Sequence, residues 1–321
     1  MYYSKKILGF LRLELWLLKN FGARAAWYDF LKTFVFRKDS GCGKEIEYRK
    51  YENLKRILSK KYRGIIEEYK EKRSDPEEIG PEAPLWVFWW QGIGADTPQV
   101  VLDCIENLKK YHSAHPIHVV TQYNLKEYIA LPPSILKKVE KQELSLCALS
   151  DIIRVELLYQ HGGIWLDATV FLTQPLDHYM CGYSFYTIRH GLFSDFHVCK
   201  GLWSCFLLAG GAGSPLFGFM RSMFQAYFAE YTYVAAYLLI DCFLAIAYEE
   251  IPYLREMVNQ VPLNNTQVFY LDDHGNEEYK EAEFAAVCQG THLFKMHYKR
   301  HFVRRTQTGQ LTKYGHVVTA K

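Results

Sequence analysis

The residues best suited to chemistry in this sequence are Asp151, Arg154 and Asp167, all within the segment Ser150–Val170. Asp151 and Arg154 stand three apart in a stretch that reads as helix, Ser145–Gln160, so their side chains reach the same spot. Gly162-Gly163 should stop that helix, because glycine accepts the left-handed cap. The apolar run Ile164–Leu166 then reads as a buried strand that delivers Asp167 to its carboxyl end. An acid–base pair and a lone carboxylate converge on one crevice. Such a set can bind hydroxyls, neutralise a phosphate or hold a divalent cation. The same spacing also suits an intrahelical ion pair and an aspartate capping a turn, and the residues alone leave both readings open.

A scaffold must bring these groups together. Leu85–Trp90 is a short continuous apolar run followed by Gly92 and Gly94, the pattern of a strand buried on both sides. After it come a helix over Thr97–Tyr111, opened by Asp96-Thr97-Pro98, a strand over Ile117–Thr121, and helices over Asn124–Ile129 and Pro133–Lys141. This alternation indicates an α/β fold with a mixed, largely parallel sheet. Ligands of such sheets bind beyond the carboxyl ends of the strands, where the loop after Trp90 and the segment after Leu166 both fall. Beyond Leu172 the pattern weakens to a strand within Gly201–Leu208, helices over Pro215–Tyr231 and Tyr233–Tyr248, and a basic, aromatic tail from Phe294.

Ser74-Asp75-Pro76 and Gly80-Pro81 mark a break, giving a helical extension over 1–80 and a main domain over 81–321. Residues 1–38 read as amphipathic helix: Lys5, Arg12 and Lys19 share one face, while Ile7, Leu11, Leu15 and Leu18 line another. Trp16, Trp27 and Phe30 add interfacial weight. The net charge of +3 is uneven, with 16 Lys/Arg against 6 Asp/Glu up to Arg63 and 22 against 29 beyond it. A basic arm interleaved with large apolar residues suits an anionic membrane surface better than nucleic acid. It suits equally a helix packed on the body. Arg12 and Glu14 interrupt what would be the apolar core of a signal peptide, and no stretch has the ~18 apolar residues of a spanning helix. The eight cysteines show no metal-ligand spacing and read as reduced thiols of a cytoplasmic protein.

The window Ser150-Asp151-x-x-Arg154…Gly162-Gly163-x-Trp165-x-Asp167-x-Thr169 resembles the signature of glycosyltransferase family 32, and most of all its bacterial capsular-polysaccharide-synthesis branch. The Trp-rich run at 86–90 is similar to that family's start, and the likeness extends from about Pro84 to Lys299. It implies a GT-A fold, Rossmann-like in its nucleotide-sugar-binding part, a UDP- or GDP-sugar donor, Mn²⁺ or Mg²⁺, and transfer with retention. By the same resemblance, Asp151 and Arg154 contact the donor sugar or phosphate, and Asp167 holds the metal on the diphosphate. Trp89, Trp90 and Gln91 lie near the base, with Gly163 and Ala168 lining the donor site. The family motif has a second aspartate where this chain has Thr169, a far weaker ligand, which would share the metal with Asp167. In the tail, Lys295 and Lys299 are expected on the diphosphate and His297 as a third metal ligand, although His292–Lys299 also suits a basic surface strand.

These features imply a hexosyltransferase that uses UDP-glucose or UDP-galactose and a lipid-linked oligosaccharide acceptor, working at the cytoplasmic membrane face. The alternatives are a non-catalytic relative that binds nucleotide sugar or glycolipid, which Thr169 motivates, and a hydrolase using Asp151 and Asp167. Asp241, in the apolar stretch Leu238–Ile240, is either ion-paired within the fold or a contact for the acceptor, because a lone buried carboxylate is costly. Trp203-Ser204 and Gly210–Gly213 are candidates for the acceptor side.

Overall fold

The computed structural model describes residues 2–37, 40–73 and 76–319, with side chains from Gly9 onward. The expected break at Ser74-Asp75 lies outside them, as do Met1, Lys38 and the side chains of Lys5 and Ile7.

The body is α/β. Its strands are β1 (Leu85–Phe88), β2 (Ile117–Val120), β3 (Gly163–Asp167), β4 (Val170–Leu172), β5 (Phe185–Thr187), β6 (Leu207–Gly210) and β7 (Leu293–Lys295). The central sheet has the order β2-β1-β3-β6-β5. β1 runs parallel to both β2 and β3, whereas β6 is antiparallel to β3 and β5. In that sheet β6 alone is reversed, so the sheet is mixed and mostly parallel, as the alternation implies. The apolar run at 85–88 becomes an inner strand because β2 and β3 flank it, and Leu85 and Val87 are fully buried. The strand expected within Gly201–Leu208 forms later, as β6. Trp203 and Ser204 lie in irregular chain instead: the Trp203 indole donates to Asp241, and the Ser204 amide donates to the Thr187 hydroxyl.

Two local devices aim β3. Ser145 caps the helix Leu146–His161, accepting from the Ala148 amide at 3.2 Å. Gly162 closes that helix with φ +65°, and a Cβ on Gly163 would stand 2.2 Å from the Pro84 carbonyl oxygen. The chain therefore turns from helix into strand with no room for a side chain. After β3, Ala168-Thr169 leads into β4, which pairs antiparallel with β7 in the register Val170↔Lys295.

The first 73 residues add helices over Tyr2–Phe21, Ala23–Phe30, Gly41–Lys61 and Arg63–Glu71. Gly22, at φ +83°, divides the expected single N-terminal helix in two. Leu17 and Phe21 are buried, and Trp16 meets Tyr231 and Tyr233 edge-on at 5.7 Å. Lys55 pairs with Glu249, Lys61 with Glu230 and Arg63 with Glu250. Part of the arm's positive charge is thus matched by the body itself. No helix among the described residues is long and apolar enough to cross a membrane.

Candidate active site

Asp167 ends β3, level with Phe88 of β1. The helix Leu146–His161 lays Arg154 beside it. One guanidinium nitrogen donates to Asp151 Oδ1 at 2.8 Å and another to Asp167 Oδ1 at 3.2 Å. The Trp165 indole donates to the same Asp167 oxygen at 3.1 Å, and its ring carries the guanidinium at 4.7 Å. On the other side, Lys295 Nζ lies 3.2 Å from Asp167 Oδ2 and donates to the Thr169 hydroxyl. Asp167 is therefore clamped between two fixed cations from separate parts of the chain.

Burial works to raise the pKa of Asp167, but Lys295 and Arg154 overcome it and leave the carboxylate below its ordinary value. For Asp151 burial prevails over Arg154, and its pKa is raised to about 7. The intrahelical pair of Asp151 and Arg154 does form, and Arg154 reaches Asp167 as well, so it spans both carboxylates.

These groups line a crevice of about 250 Å³ whose far wall is Asp241, with Trp203, Cys205 and Phe206. The Asp241 Oδ1 accepts from Trp203 Nε1 at 2.9 Å and from Cys205 Sγ at 3.4 Å. Burial raises its pKa, with His197 and Trp203 acting against the shift. Asp241 thus has no arginine partner among the described residues and faces the same space as Asp167. Its signal in the sequence was a carboxylate inside an apolar run. His190, His197, Cys205 and Tyr237 also line the crevice and carried no signal, because nothing in their spacing links them to Asp167.

The sequence matches the model of the capsular polysaccharide synthesis protein family over residues 37–316. The chain belongs to that family. No curated protein shows a significant match. Among solved structures, the PaToxG glycosyltransferase is similar at 17% identity over 74% of this chain and 94% of its own, with a TM-score of 0.39. A superposition that loose carries no argument about the site.

In this family member the residues Asp151, Arg154, Asp167, Thr169 and Lys295 come together, and Ala168 is the buried link between Asp167 and Thr169. Other expected site residues lie elsewhere. Gly163 begins β3 and Asp167 ends it, so the two are separated by roughly 13 Å of strand; Gly163 lies in the turn against Pro84. Trp89, Trp90 and Gln91 follow β1 at the correct edge of the sheet but do not line the crevice. Trp89 meets Tyr298 edge-on at 5.7 Å, and Lys299 Nζ lies 5.7 Å from the centre of that tyrosine ring. His297 turns to Asp272, 2.8 Å from its Oδ2, a carboxylate that Arg300 also holds at 3.1 Å. No contact joins His297 to Asp167.

A divalent cation does not fit the donor set as it stands. It needs free oxygen ligands. Asp167 has both oxygens engaged by cationic or N–H donors, the Thr169 hydroxyl accepts from Lys295, and His297 is tied to Asp272. Among the described residues, the grouping of His, Cys and carboxylate with metal-like spacing is His115, Asp177 and Cys181, outside the crevice.

Proposed function

We propose that this capsular polysaccharide synthesis protein is a GT-A-type glycosyltransferase. In this reading it moves a hexose from a nucleoside diphosphate sugar, UDP-glucose or UDP-galactose, to a growing, lipid-linked surface glycan. The observation that carries it is the clamp on Asp167, with Arg154 and Lys295 held on opposite oxygens at the carboxyl end of β3. In the transfer, the bond from the sugar C1 to the β-phosphate oxygen breaks and the acceptor oxygen bonds to C1. The acceptor proton leaves onto the departing diphosphate, which is the working route to the retention that the family resemblance implies. Negative charge grows on the β-phosphate, and fixed cations placed beforehand stabilise it most. Asp151, which holds its proton to about pH 7, can donate a hydrogen bond to a sugar oxygen, while Asp241 offers a carboxylate to the acceptor side.

The lipid-linked acceptor fits the N-terminal helices, where Leu11, Leu15, Leu18, Trp27 and Phe34 are exposed beside Arg12, Lys19 and Arg24. We read this face as resting on the anionic inner surface of the cell membrane.

The test is a panel of UDP- and GDP-sugars with purified protein, in Mn²⁺ and in EDTA, following nucleotide release. Release from one donor that disappears in Asp167→Ala is expected. Sugar freed from a finished glycan with no nucleotide present would replace this reading with the hydrolase.

A further inference from the structure

Resting on the reading of the crevice as a nucleotide-sugar site, we propose that Lys295 takes the place of the metal. Its ammonium group supplies the fixed positive charge on the donor diphosphate, and the chain binds and uses its donor without a divalent cation.

Two positions, 167 and 169, would hold a metal. Position 167 is a carboxylate, but position 169 is a threonine, whose neutral hydroxyl is a poor ligand for a hard cation. Between them stands Lys295 Nζ, 3.2 Å from Asp167 Oδ2 and hydrogen-bonded to Thr169 Oγ1. An ion bound to these two groups would meet the ammonium at close range, with the Arg154 guanidinium also on Asp167. Like-charge repulsion opposes that arrangement, and the lysine already satisfies both oxygens.

The lysine is not placed there by a loose side chain alone. Its Cα pairs with Val170 in the β4–β7 ladder, the next amide, Met296 N–H, donates to the Thr169 carbonyl at 2.8 Å, and its own amide donates to the Val268 carbonyl at 2.8 Å. The residue that replaces the second carboxylate and the residue that replaces the metal are thus held together by one ladder. An ammonium has three N–H donors. Two serve Asp167 and Thr169. Among the described residues the third meets the Met296 carbonyl at 3.5 Å, the outer limit of a hydrogen bond, with the Phe206 ring centre 5.9 Å from the ammonium, so a phosphate oxygen can take it. Threonine at 169 then has a positive role: it accepts from the ammonium without adding a charge that would call for a second cation.

The probes are UDP and GDP, titrated into the full chain by calorimetry in EDTA and again in Mn²⁺, with Mn²⁺ titrated alone by electron paramagnetic resonance. We expect one nucleoside diphosphate to bind within about twofold of the same affinity in both buffers. Lys295→Met should weaken that binding by tenfold or more, Lys295→Arg should restore most of it, and free Mn²⁺ should show no site that Asp167→Asn abolishes. The double substitution Thr169→Asp with Lys295→Ala should convert binding to a Mn²⁺-dependent form. Circular dichroism establishes that each variant is folded, and Lys295→Arg reads the charge in a chain that keeps the long stem. Binding in wild type that appears only with Mn²⁺ overturns the proposal while leaving the glycosyltransferase reading intact. Failure to bind either nucleotide in both buffers overturns the proposal together with the reading beneath it.

Discussion

The crevice and the N-terminal helices solve opposite problems with their side chains. Around Asp167, groups from the helix Leu146–His161, from β3 and from β7 meet as complementary charges, and Arg154 is almost wholly enclosed. On the N-terminal face, one helix buries Leu17 and Phe21 but leaves Leu15 66% exposed, with Leu11 and Leu18 each about half exposed. Trp27, Phe30 and Phe34 extend this surface, the neighbouring rings 5.9 and 5.5 Å apart, and Phe10 joins Phe34 at 4.5 Å. The crevice charges are largely paired with one another, whereas the N-terminal face leaves large apolar side chains exposed among the described residues. Substitutions should therefore act through chemistry and stability in one region and through location in the other.

The largest effect is expected at Asp167. Asp167→Asn keeps the shape but removes the charge that aligns Arg154 and Lys295. Nucleotide release should fall on the order of 10³-fold, the scale for loss of a preorganised electrostatic contact. Retention of more than a tenth of wild-type release would show that the clamp is not the centre of the site. Next in size is Arg154→Met, which leaves Asp151 and Asp167 without their shared cation. A loss of about 3–5 kcal/mol in urea unfolding is expected, as for breaking a buried ion pair. Arg12→Met, on the exposed N-terminal face, should leave the unfolding midpoint unchanged. Equal midpoints for the two variants would erase the distinction between the regions.

Much of this contrast was legible in the sequence, for definite reasons. The helix–Gly-Gly–strand unit around Asp167 could be read because its apolar run, its spacing and its glycines are all local signals. Lys295 was a candidate for the diphosphate, but its place on Thr169 depends on the β4–β7 ladder, a long-range pairing that three-residue strands do not announce. Asp241 was noticed for its oddity and not for its position, since a helix can turn any of its faces to the crevice. Gly163 stands at the opposite end of β3 from Asp167, because proximity in sequence says nothing about which end of the strand a residue occupies. At the N-terminus, the amphipathic pattern showed that one face would be apolar. It gave no hint that Gly22 would divide the helix, nor that the body would take up several lysines and arginines as ion-pair partners.

The outward face is probed by Leu15→Ser combined with Trp27→Ser. Full burial of a large apolar side chain contributes about 1.5–3 kcal/mol, and partial insertion of two such groups should be worth about 3 kcal/mol together. Partitioning onto vesicles of phosphatidylglycerol and phosphatidylcholine should drop by roughly 100-fold, and raising salt should weaken wild-type binding further. Nucleotide release from soluble donor should be unaffected. Unchanged partitioning in the double variant would return the patch to the status of an ordinary surface.

The smallest expected effect is a slope in the stability of the crevice with pH. Asp151 holds its proton to about pH 7 in the folded chain, because burial outweighs Arg154, against an ordinary value of 3.8. Between those limits the unfolded chain has released the proton and the folded chain has kept it, so stability falls as pH rises through the window and levels off above it. The slope is on the order of 1 kcal/mol per pH unit. Asp241, also raised by burial, adds in the same direction, and Asp167, whose pKa is lowered, gives stability that is lost only as pH falls through the acid range. Urea midpoints at pH 4.5 and pH 7 should therefore diverge in wild type, and the divergence should shrink in Asp151→Asn. A variant that keeps the full divergence would mean that Asp151 is already ionised at pH 4.5, held by Arg154 as Asp167 is. The crevice would then hold two ionised carboxylates, Asp151 and Asp167, matched by Arg154 and Lys295.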